Sequence, residues 1–377
     1  MDFGWTPRQR ERYDSALAAA RERFAPESGT PGLAPEDWRA LGEHGLLGAA
    51  VDVKYGGSGL GALDTALLFE AFGRGCPDTG LVFAAAAHLF ACALPIAEFG
   101  PPELRERLLP DLCSGRAVAA NAMTEADAGS DVSVLATTAE PVGGGYVLNG
   151  TKSFVSNGPA ADVLVTYATT DPGAGHFALT AFAVERGAAG IHVGEPFGKL
   201  GMASCPASEV RFADCFVPAG NVLGERGQGS IVFQESMLWE RTCLFALYVG
   251  LQERLIDQAV AHARERRQFG RALQEFQSVT DRIVEMKLRL ESGRLLLYRA
   301  CWSLDRGEPD PLASALSKLA VSEAAVAAAI DAVQLLGGRG YQAGSGAEAA
   351  LRDALGGTIF SGTSAIQRRI VARELGL

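Results

Sequence analysis

The first 115 or so residues carry apolar side chains at the spacing of amphipathic helices. Residues 63–72 and 103–112 repeat apolar positions every three or four residues, which predicts helices. A glycine-rich stretch at 55–59 predicts a loop. Residues 79–97 contain no Asp, Glu, Lys or Arg, but they are rich in alanine and interrupted by Pro95. We interpret this stretch as a buried core helix rather than a membrane span.

Between about residues 118 and 225 the pattern changes to short β-rich runs separated by glycine, proline and asparagine. Residues 163–167 form a continuous run typical of a buried strand, and residues 209–212 alternate polar with apolar side chains, as in a half-exposed strand. The glycines at 143–145 and the pair Asn149-Gly150 predict hairpin turns.

From about residue 229 onward the helical spacing returns in long segments, at 229–267, 274–305, 311–336 and 363–375. The order along the chain is therefore helical, then β, then helical. We predict a mainly α protein with a β middle domain, divided into residues 1–116, 117–226 and 227–377.

Composition narrows the function classes. The chain has 377 residues, with 48% apolar and 21% charged residues and a formal net charge of −10. That charge argues against nucleic acid or an anionic membrane as the main partner. Seven cysteines without a C-x-x-C pair argue against a disulfide framework and a zinc site, and five histidines show no metal-ligand spacing. We expect a cytoplasmic protein without a metal.

The segment 122–131 combines small residues with hydroxyls where the β-region begins. Small residues let a backbone approach a flat ligand, and hydroxyls and backbone N–H groups can bond ring heteroatoms or phosphate. Met123, Thr124 and Ser130 are the candidates. The alternative is a capped turn built from Thr124, Ser130 and Asp131.

The segment 149–158 places an aromatic residue two positions before a hydroxyl. Residues two apart in a strand face the same side, so Phe154 could stack on a ring while Ser156 bonds to it. A plain hairpin with a half-buried phenylalanine is the alternative.

Three later segments suit a diphosphate or a close ligand approach. An arginine near a helix end can bond a diphosphate, and glycines that end a helix leave space beside the backbone. The candidate residues are Arg266, Phe269 and Gln277 in the first segment, Gln334 and Gly338 in the second, and Thr363 in the third.

One acidic residue interrupts an apolar helix face. Glu240 shares that face with Met237, Leu244, Leu247 and Leu251. Because burying a carboxylate is costly, Glu240 should be paired, neutralised or functional. A carboxylate in an apolar cavity has a raised pKa and can act as a general base. A structural salt bridge, for example to Arg241, is the alternative.

In order and over nearly the whole chain, these segments resemble the acyl-CoA dehydrogenase family. The motifs that carry the resemblance are Thr-Glu-x-x-Ala-Gly-Ser-Asp at 124–131, Asn-Gly-x-Lys at 149–152, Lys-Leu-Gly at 199–201, Phe-x-Asp at 212–214 with Val217-Pro218, Arg-x-x-Phe-Gly at 266–270, Gln-x-x-Gly-Gly at 334–338 and Gly-Thr-Ser at 362–364. The resemblance implies an N-terminal helical domain, a β-barrel-like middle domain, a C-terminal four-helix bundle and an FAD cofactor.

The resemblance also implies roles for the candidates. Met123, Thr124 and Ser130 would line the flavin or the thioester arm, and Phe154 and Ser156 would lie beside the flavin ring. A further set would contact the FAD of a neighbouring subunit, which implies a dimer or tetramer: Arg266, Phe269, Gln277, Gln334 and Gly338. Thr363, in the last motif, would be a further cofactor contact.

The catalytic base differs from the common family pattern. Many members carry a glutamate directly before the Gly-Thr of the last motif, where this chain has Ser361. A smaller group, which includes isovaleryl-CoA dehydrogenase, carries the base in the first long helix of the C-terminal domain. Glu240 aligns with that position and is the expected base. Ala203 and Ala365 also replace residues usual in the family.

A closer similarity is to the L-prolyl-carrier-protein dehydrogenases of pyrrole biosynthesis. It is carried by residues 61–67, 239–240, 286–291, 297–302 and 359–363. It implies oxidation of a prolyl group held as a phosphopantetheine thioester on a peptidyl carrier protein. The alternatives are a dehydrogenase of short or branched acyl-CoA and, less well supported, a flavin monooxygenase on the same fold.

Overall fold

The computed structural model describes residues 4–24 and 32–377, apart from the side chain of His176. The predicted order of helical, β and helical regions is present. The N-terminal helices are α1 (Pro7–Arg23), α2 (Pro35–Glu43), α3 (Ala62–Gly75), α4 (Thr79–His88), α5 (Leu94–Phe99) and α6 (Pro102–Ser114). A π-helical turn, Leu89–Ala93, joins α4 to α5.

The apolar segment that begins at Thr79 lies in the protein interior, as predicted. Thr79–Phe99 is long and apolar enough to cross a membrane, but 89% of its most apolar window is buried inside the protein. Pro311–Arg339 is also long and apolar enough to cross a membrane, and 33% of its most apolar stretch is buried inside the protein. At the end of α4, the His88 ring accepts a hydrogen bond from the backbone N–H of Ala119 at 2.9 Å, which ties this helix to the β-region.

The middle region forms one mixed sheet of eight strands. They are β1 (Ala119–Ala122), β2 (Thr138–Val142), β3 (Gly145–Ser156), β4 (Val163–Thr169), β5 (Leu179–Glu185), β6 (Ile191–Val193), β7 (Ala207–Pro218) and β8 (Val222–Leu223). Their order is β6-β7-β3-β2-β4-β5-β8, with β1 parallel to β4. The buried strand predicted at 163–167 and the alternating strand at 209–212 are both present, in β4 and β7.

One predicted turn is wrong. Gly143 and Gly144 do connect β2 to β3, but Asn149 and Gly150 lie inside β3, where its register against β7 shifts. Gly150 has φ +151, and a Cβ there would lie 2.4 Å from Thr137 Oγ1. The glycine therefore serves a close backbone approach within a bulged strand, not a reversal of the chain.

The C-terminal region contains α7 (Gly229–Trp239), a π-helical turn (Glu240–Leu244), α8 (Ala246–Glu265), the short hairpin β9 (Arg267–Gln268) and β10 (Arg271–Ala272), α9 (Gln277–Asp305), α10 (Pro311–Leu336), α11 (Ala347–Gly357) and α12 (Ser364–Glu374). The predicted segment 229–267 is thus one helical run interrupted by a π turn. Helix α11 was not predicted, because the glycines at 337–346 and 356–357 obscure its short apolar repeat.

Two glycines let α3 and α8 pack at backbone contact. A Cβ on Gly73 would lie 2.1 Å from the carbonyl oxygen of Leu247, and one on Gly250 would lie 2.1 Å from that of Glu70. This packing joins the two helical regions into one core, while a second, smaller core fills the inside of the β-region. The candidate site lies where the helices meet the sheet.

Candidate active site

A cavity of about 180 Å³ opens between the sheet and the helices; we call it the inner cavity. Asn121, Met123 and Thr124 and, from β3, Phe154 and Ser156 line its sheet side. The helical side is formed by Phe83, Ala87, Ala91, Phe233, Met237, Glu240, Leu244, Phe360, Ser361 and Gly362. Both π-helical turns contribute to this wall, the first through Ala91 and the second through Glu240 and Leu244. Such turns displace side chains from regular helical positions and are frequent at functional sites.

Glu240 lies in the wall of this cavity and is only 7% exposed. Ser361 Oγ donates a hydrogen bond to Glu240 Oε2 at 2.5 Å. Burial raises the pKa of the Glu240 carboxyl to about 7, although Ser361 and the charge of Arg241 both lower it. A carboxyl with a pKa near neutrality exchanges protons readily at physiological pH, which suits a general base.

The salt-bridge alternative for Glu240 is wrong for the described residues, because none of the ion pairs they form includes this carboxylate. Arg241 Nε instead donates to the backbone oxygen of Ser361 at 3.3 Å. The apolar face predicted around Glu240 is present, since Met237, Leu244, Leu247 and Leu251 are all buried.

The turn that carries Ser361 is held in a left-handed conformation. Ser361 has φ +53 and Gly362 has φ +84. Gln367 Nε2 donates to the backbone oxygens of Ser361 and Gly362, at 3.2 and 2.9 Å. Thr363 Oγ1 accepts from the backbone N–H of Ile366 at 3.2 Å and caps α12. The hydroxyl of Thr363 thus supports the turn, while Ser361 and Gly362 line the cavity.

Phe154 and Ser156 face the same side, as predicted. Both line the inner cavity and an adjoining cleft of about 420 Å³, which also shares Phe83 and Phe360. The Phe154 ring is 67% exposed and lies 5.5 Å from the Phe197 ring, measured between centroids. Its φ of +55 places it at a second register shift in β3. An exposed aromatic face beside a hydroxyl fits a planar heteroaromatic ring.

A buried ion pair fixes the segment 122–131. Lys152 Nζ lies 2.8 Å from Glu125 Oε1, and Thr137 Oγ1 donates to the same oxygen at 2.5 Å. Burial lowers the pKa of Lys152 to about 8, while Glu125 raises it. Lys152 Nζ also bonds the backbone oxygen of Met123 at 3.2 Å. The pair therefore positions the backbone beside the cavity.

Part of the capped-turn alternative also holds for this segment, because Asp131 Oδ1 accepts from the backbone N–H of Ser133 at 3.0 Å. Ser130 does not line the inner cavity. It lines a groove of about 510 Å³ that shares Met123, Val132 and Phe233 with the cavity. Through these shared residues the groove adjoins the inner cavity that Glu240 lines.

The remaining candidates lie elsewhere. Arg266 and Gly338 line a pocket of about 390 Å³ at the ends of α8 and α10. Phe269 is 93% exposed, with φ +50, and Gln277 is exposed at the start of α9. Gln334 Oε1 accepts from Arg282 Nη1 at 3.0 Å. Within one chain these five residues are not part of the inner cavity.

Sequence reasoning missed the roles of two polar residues of the cavity. Ser361 was considered only as the replacement of the usual base, yet it donates to Glu240 from a position 121 residues away. Asn121 was not considered. It is the one polar residue in the run Ala-Ala-Asn-Ala of β1, and a polar residue in a buried strand is a detectable signal.

Comparison with known proteins identifies three family models that together cover the chain. The N-terminal, middle and C-terminal domains of acyl-CoA dehydrogenase match residues 6–116, 120–215 and 227–376. An L-prolyl-[peptidyl-carrier protein] dehydrogenase of Pseudomonas fluorescens is 52% identical over 100% of both chains. The enzyme of the same description from a Serratia species is 44% identical, over 100% of this chain and 99% of its own.

A solved structure of PigA with FAD and proline superimposes with a TM-score of 0.97, at 43% identity and over 100% of both chains. The resemblance inferred from sequence motifs is therefore confirmed, and so is the fold.

Proposed function

The chain belongs to the acyl-CoA dehydrogenase family, and we propose that it is an FAD-dependent dehydrogenase that oxidises an L-prolyl group held as a thioester on a peptidyl carrier protein. The observation that carries the proposal is Glu240, a buried carboxylate that forms no ion pair with the described residues and lines a cavity beside an exposed aromatic face. The full-length similarity to prolyl-carrier-protein dehydrogenases supports the choice of substrate.

The residues of the sheet wall fit a flavin. Phe154 offers a ring face, Ser156 and Thr124 offer hydroxyls, and Gly129 leaves open space where a Cβ would stand. These residues would hold the flavin ring between the sheet and Glu240. When bound, FAD accepts the hydride equivalent from the substrate.

The protein residues act on the proton and the carbonyl. The thioester acidifies the proton on the prolyl Cα, and the Glu240 carboxylate removes it. The Ser361 hydroxyl orients that carboxylate and keeps a larger fraction of it ionised, because it bonds the charged form. Apolar neighbours such as Leu244 and Met237 exclude water from the cavity and so strengthen these interactions.

The test is turnover with defined substrates. We expect L-prolyl-carrier protein to bleach the flavin absorbance. With O₂ present to reoxidise the reduced flavin between two successive two-electron oxidations, it should give a pyrrolyl-2-carbonyl product by mass spectrometry. Bleaching by isovaleryl- or butyryl-CoA with none by prolyl-carrier protein would favour the acyl-CoA alternative and overturn the proposal. An oxygenated product would indicate a monooxygenase. We further propose that the enzyme acts in the cytoplasm, in a pathway of secondary metabolism.

We also propose that the active protein is a homo-oligomer, a dimer or tetramer, in which Arg266, Phe269, Gln277, Gln334 and Gly338 contact the FAD of a neighbouring subunit. The exposure of Phe269 supports this, and so does the fact that none of these five residues lines the inner cavity within one chain. Arg266→Ala should weaken FAD binding by about 1.5–3 kcal/mol through loss of a charge-assisted bond. Unchanged FAD affinity in a titration would contradict the placement.

A further inference from the structure

Asn121 has an unusual environment in the inner cavity. Its Oδ1 is enclosed and accepts no hydrogen bond from the described residues. No other described residue that lines the cavity has a buried polar side-chain atom without a hydrogen-bond partner. A buried acceptor left without a partner destabilises a protein, so such an atom in a native structure calls for an explanation.

The strand around Asn121 makes a packing role a poor explanation. Its neighbours Ala119, Ala120 and Ala122 are alanines and fully or almost fully buried. The strand is anchored by parallel pairing with β4 and by the bond from Ala119 N to the His88 ring. The carboxamide therefore stands at a fixed place, but its terminal torsion is soft and two-fold, so a half-turn exchanges the positions of its oxygen and its NH₂.

The other polar groups of the cavity already have roles. Ser361 donates to Glu240, while Thr124 and Ser156 belong to the wall assigned to the flavin. The helical side near the base is otherwise apolar, with Ala87, Ala91 and Leu244. Among the described residues that line the cavity, Asn121 is the remaining hydrogen-bonding side chain without an assigned role.

We propose that the Asn121 carboxamide oxygen accepts a hydrogen bond from the ring nitrogen of the aminoacyl substrate and so selects an amino acid over a hydrocarbon acyl group. The inference rests on the proposed function and deepens it. An aminoacyl group differs from a hydrocarbon one by an N–H donor on the carbon that Glu240 deprotonates. The Asn121 oxygen is an acceptor without a partner in the cavity that Glu240 lines, so it can bond this N–H. A CH₂ group at the same place offers no donor to bond.

The selectivity expected from one such bond is moderate. A hydrogen bond between a neutral acceptor and an amine corresponds to about a 10- to 100-fold difference in kcat/KM between a substrate that forms the bond and one that does not. The bond is stronger when the amine is protonated. A site that hydrogen-bonds a substrate N–H also discriminates against an analogue lacking it, because the polar group of the protein is then left unpaired.

The experiment compares two carrier-protein thioesters that differ in one group, L-prolyl and cyclopentanecarbonyl, with the FAD-loaded oligomer. For Asn121→Leu, which has nearly the same size, we expect kcat/KM for the prolyl thioester to fall about 10- to 100-fold while that for the cyclopentanecarbonyl thioester stays within about threefold. Asn121→Asp keeps an acceptor and should retain the prolyl preference. FAD content and the visible flavin spectrum should match the wild type in both variants.

The measured rates distinguish a failure of the proposed function from a failure of the role of Asn121. A wild type that oxidises neither thioester would overturn the proposed function together with this role. An active wild type whose Asn121→Leu variant keeps the full prolyl preference would overturn the role of Asn121 alone. A parallel loss for both thioesters with an altered flavin spectrum would also overturn it and would place Asn121 on the flavin. If Asn121→Leu does not fold, Asn121→Ala, which also removes the acceptor, carries the same comparison.

Discussion

Two glutamates are buried in the helical core, and they differ in what surrounds the carboxylate. Glu70, in α3, is fully buried and accepts hydrogen bonds from Arg294 Nε at 3.1 Å and from the Tyr298 hydroxyl at 2.8 Å. Glu240 is almost as deeply buried, but its bond is to the neutral Ser361 hydroxyl, and a cavity lies beside it.

The pKa alone does not separate these two sites. Burial raises the pKa of both carboxyls, and in each case the hydrogen-bond donors act against it. The partners separate them, because the charge of Glu70 is balanced by an arginine that also pairs with Glu253 and Glu291. A buried carboxylate that is fully paired holds a fold together, whereas one left unpaired beside a cavity is available to react.

The largest expected effect is on catalysis at Glu240. Glu240→Gln keeps the shape and the hydrogen bond but cannot accept a proton, so the rate of flavin reduction by substrate should fall by about 10²–10⁴. The variant should still bind FAD and form the oligomer. Stopped-flow absorbance measures the rate, with Glu70→Gln as the matched control that changes a buried carboxylate without touching the cavity. Near wild-type reduction by Glu240→Gln would mean that the base lies elsewhere.

The next effect is on stability at Glu70. Glu70→Ala leaves Arg294 and Tyr298 without their shared acceptor and opens a cavity, which should lower the free energy of unfolding by about 3–5 kcal/mol. Denaturant titration followed by circular dichroism measures the change, against Glu22→Ala on the exposed face of α1. The specific activity of folded Glu70→Ala should be retained. If its stability is unchanged, the network around Arg294 is not structural.

The ionised form of Glu240, which is the form that can accept a proton, should lower the stability of the folded protein. Its pKa in the folded protein, about 7, is above the ordinary value of 4.5, so between these two values the folded state binds more protons than the unfolded state. The free energy of unfolding contributed by Glu240 therefore falls as pH rises through that window. Glu240→Gln should be more stable than wild type at pH 8, by up to about 3 kcal/mol, with the difference shrinking toward pH 4. An equal gain at both pH values would contradict this.

The smallest effect concerns Ser361. The rate of substrate oxidation should rise with pH through about 7 as Glu240 ionises. The Ser361 hydroxyl stabilises the carboxylate, so Ser361→Ala should move this rise to higher pH, by about one pH unit, with nearly wild-type rates at alkaline pH. The pH profile of kcat measures both. A shift to lower pH, or a loss that persists at alkaline pH, would show that Ser361 acts in another way.

The sequence by itself determined the order of helical and β regions and the position of the buried Glu240 carboxylate. Hydrophobic periodicity reports which face of an element is buried, and a carboxylate within such a face is visible without coordinates. The alternation that predicted strand β7 and the shared face of Phe154 and Ser156 follow from the same rule. The family motifs then supplied the cofactor and the substrate class.

Tertiary structure alone decided whether Glu240 is paired. Its partner Ser361 is distant in sequence, and Arg241, next to it in the chain, bonds a backbone oxygen instead. The bulge at Gly150 likewise depends on Thr137, and strand β1, which carries Asn121, is anchored by a bond from Ala119 to His88; both partners come from other segments of the chain. Local patterns encode which groups are buried, whereas only long-range packing determines which groups meet, and the reactivity of a buried side chain depends on the groups it meets.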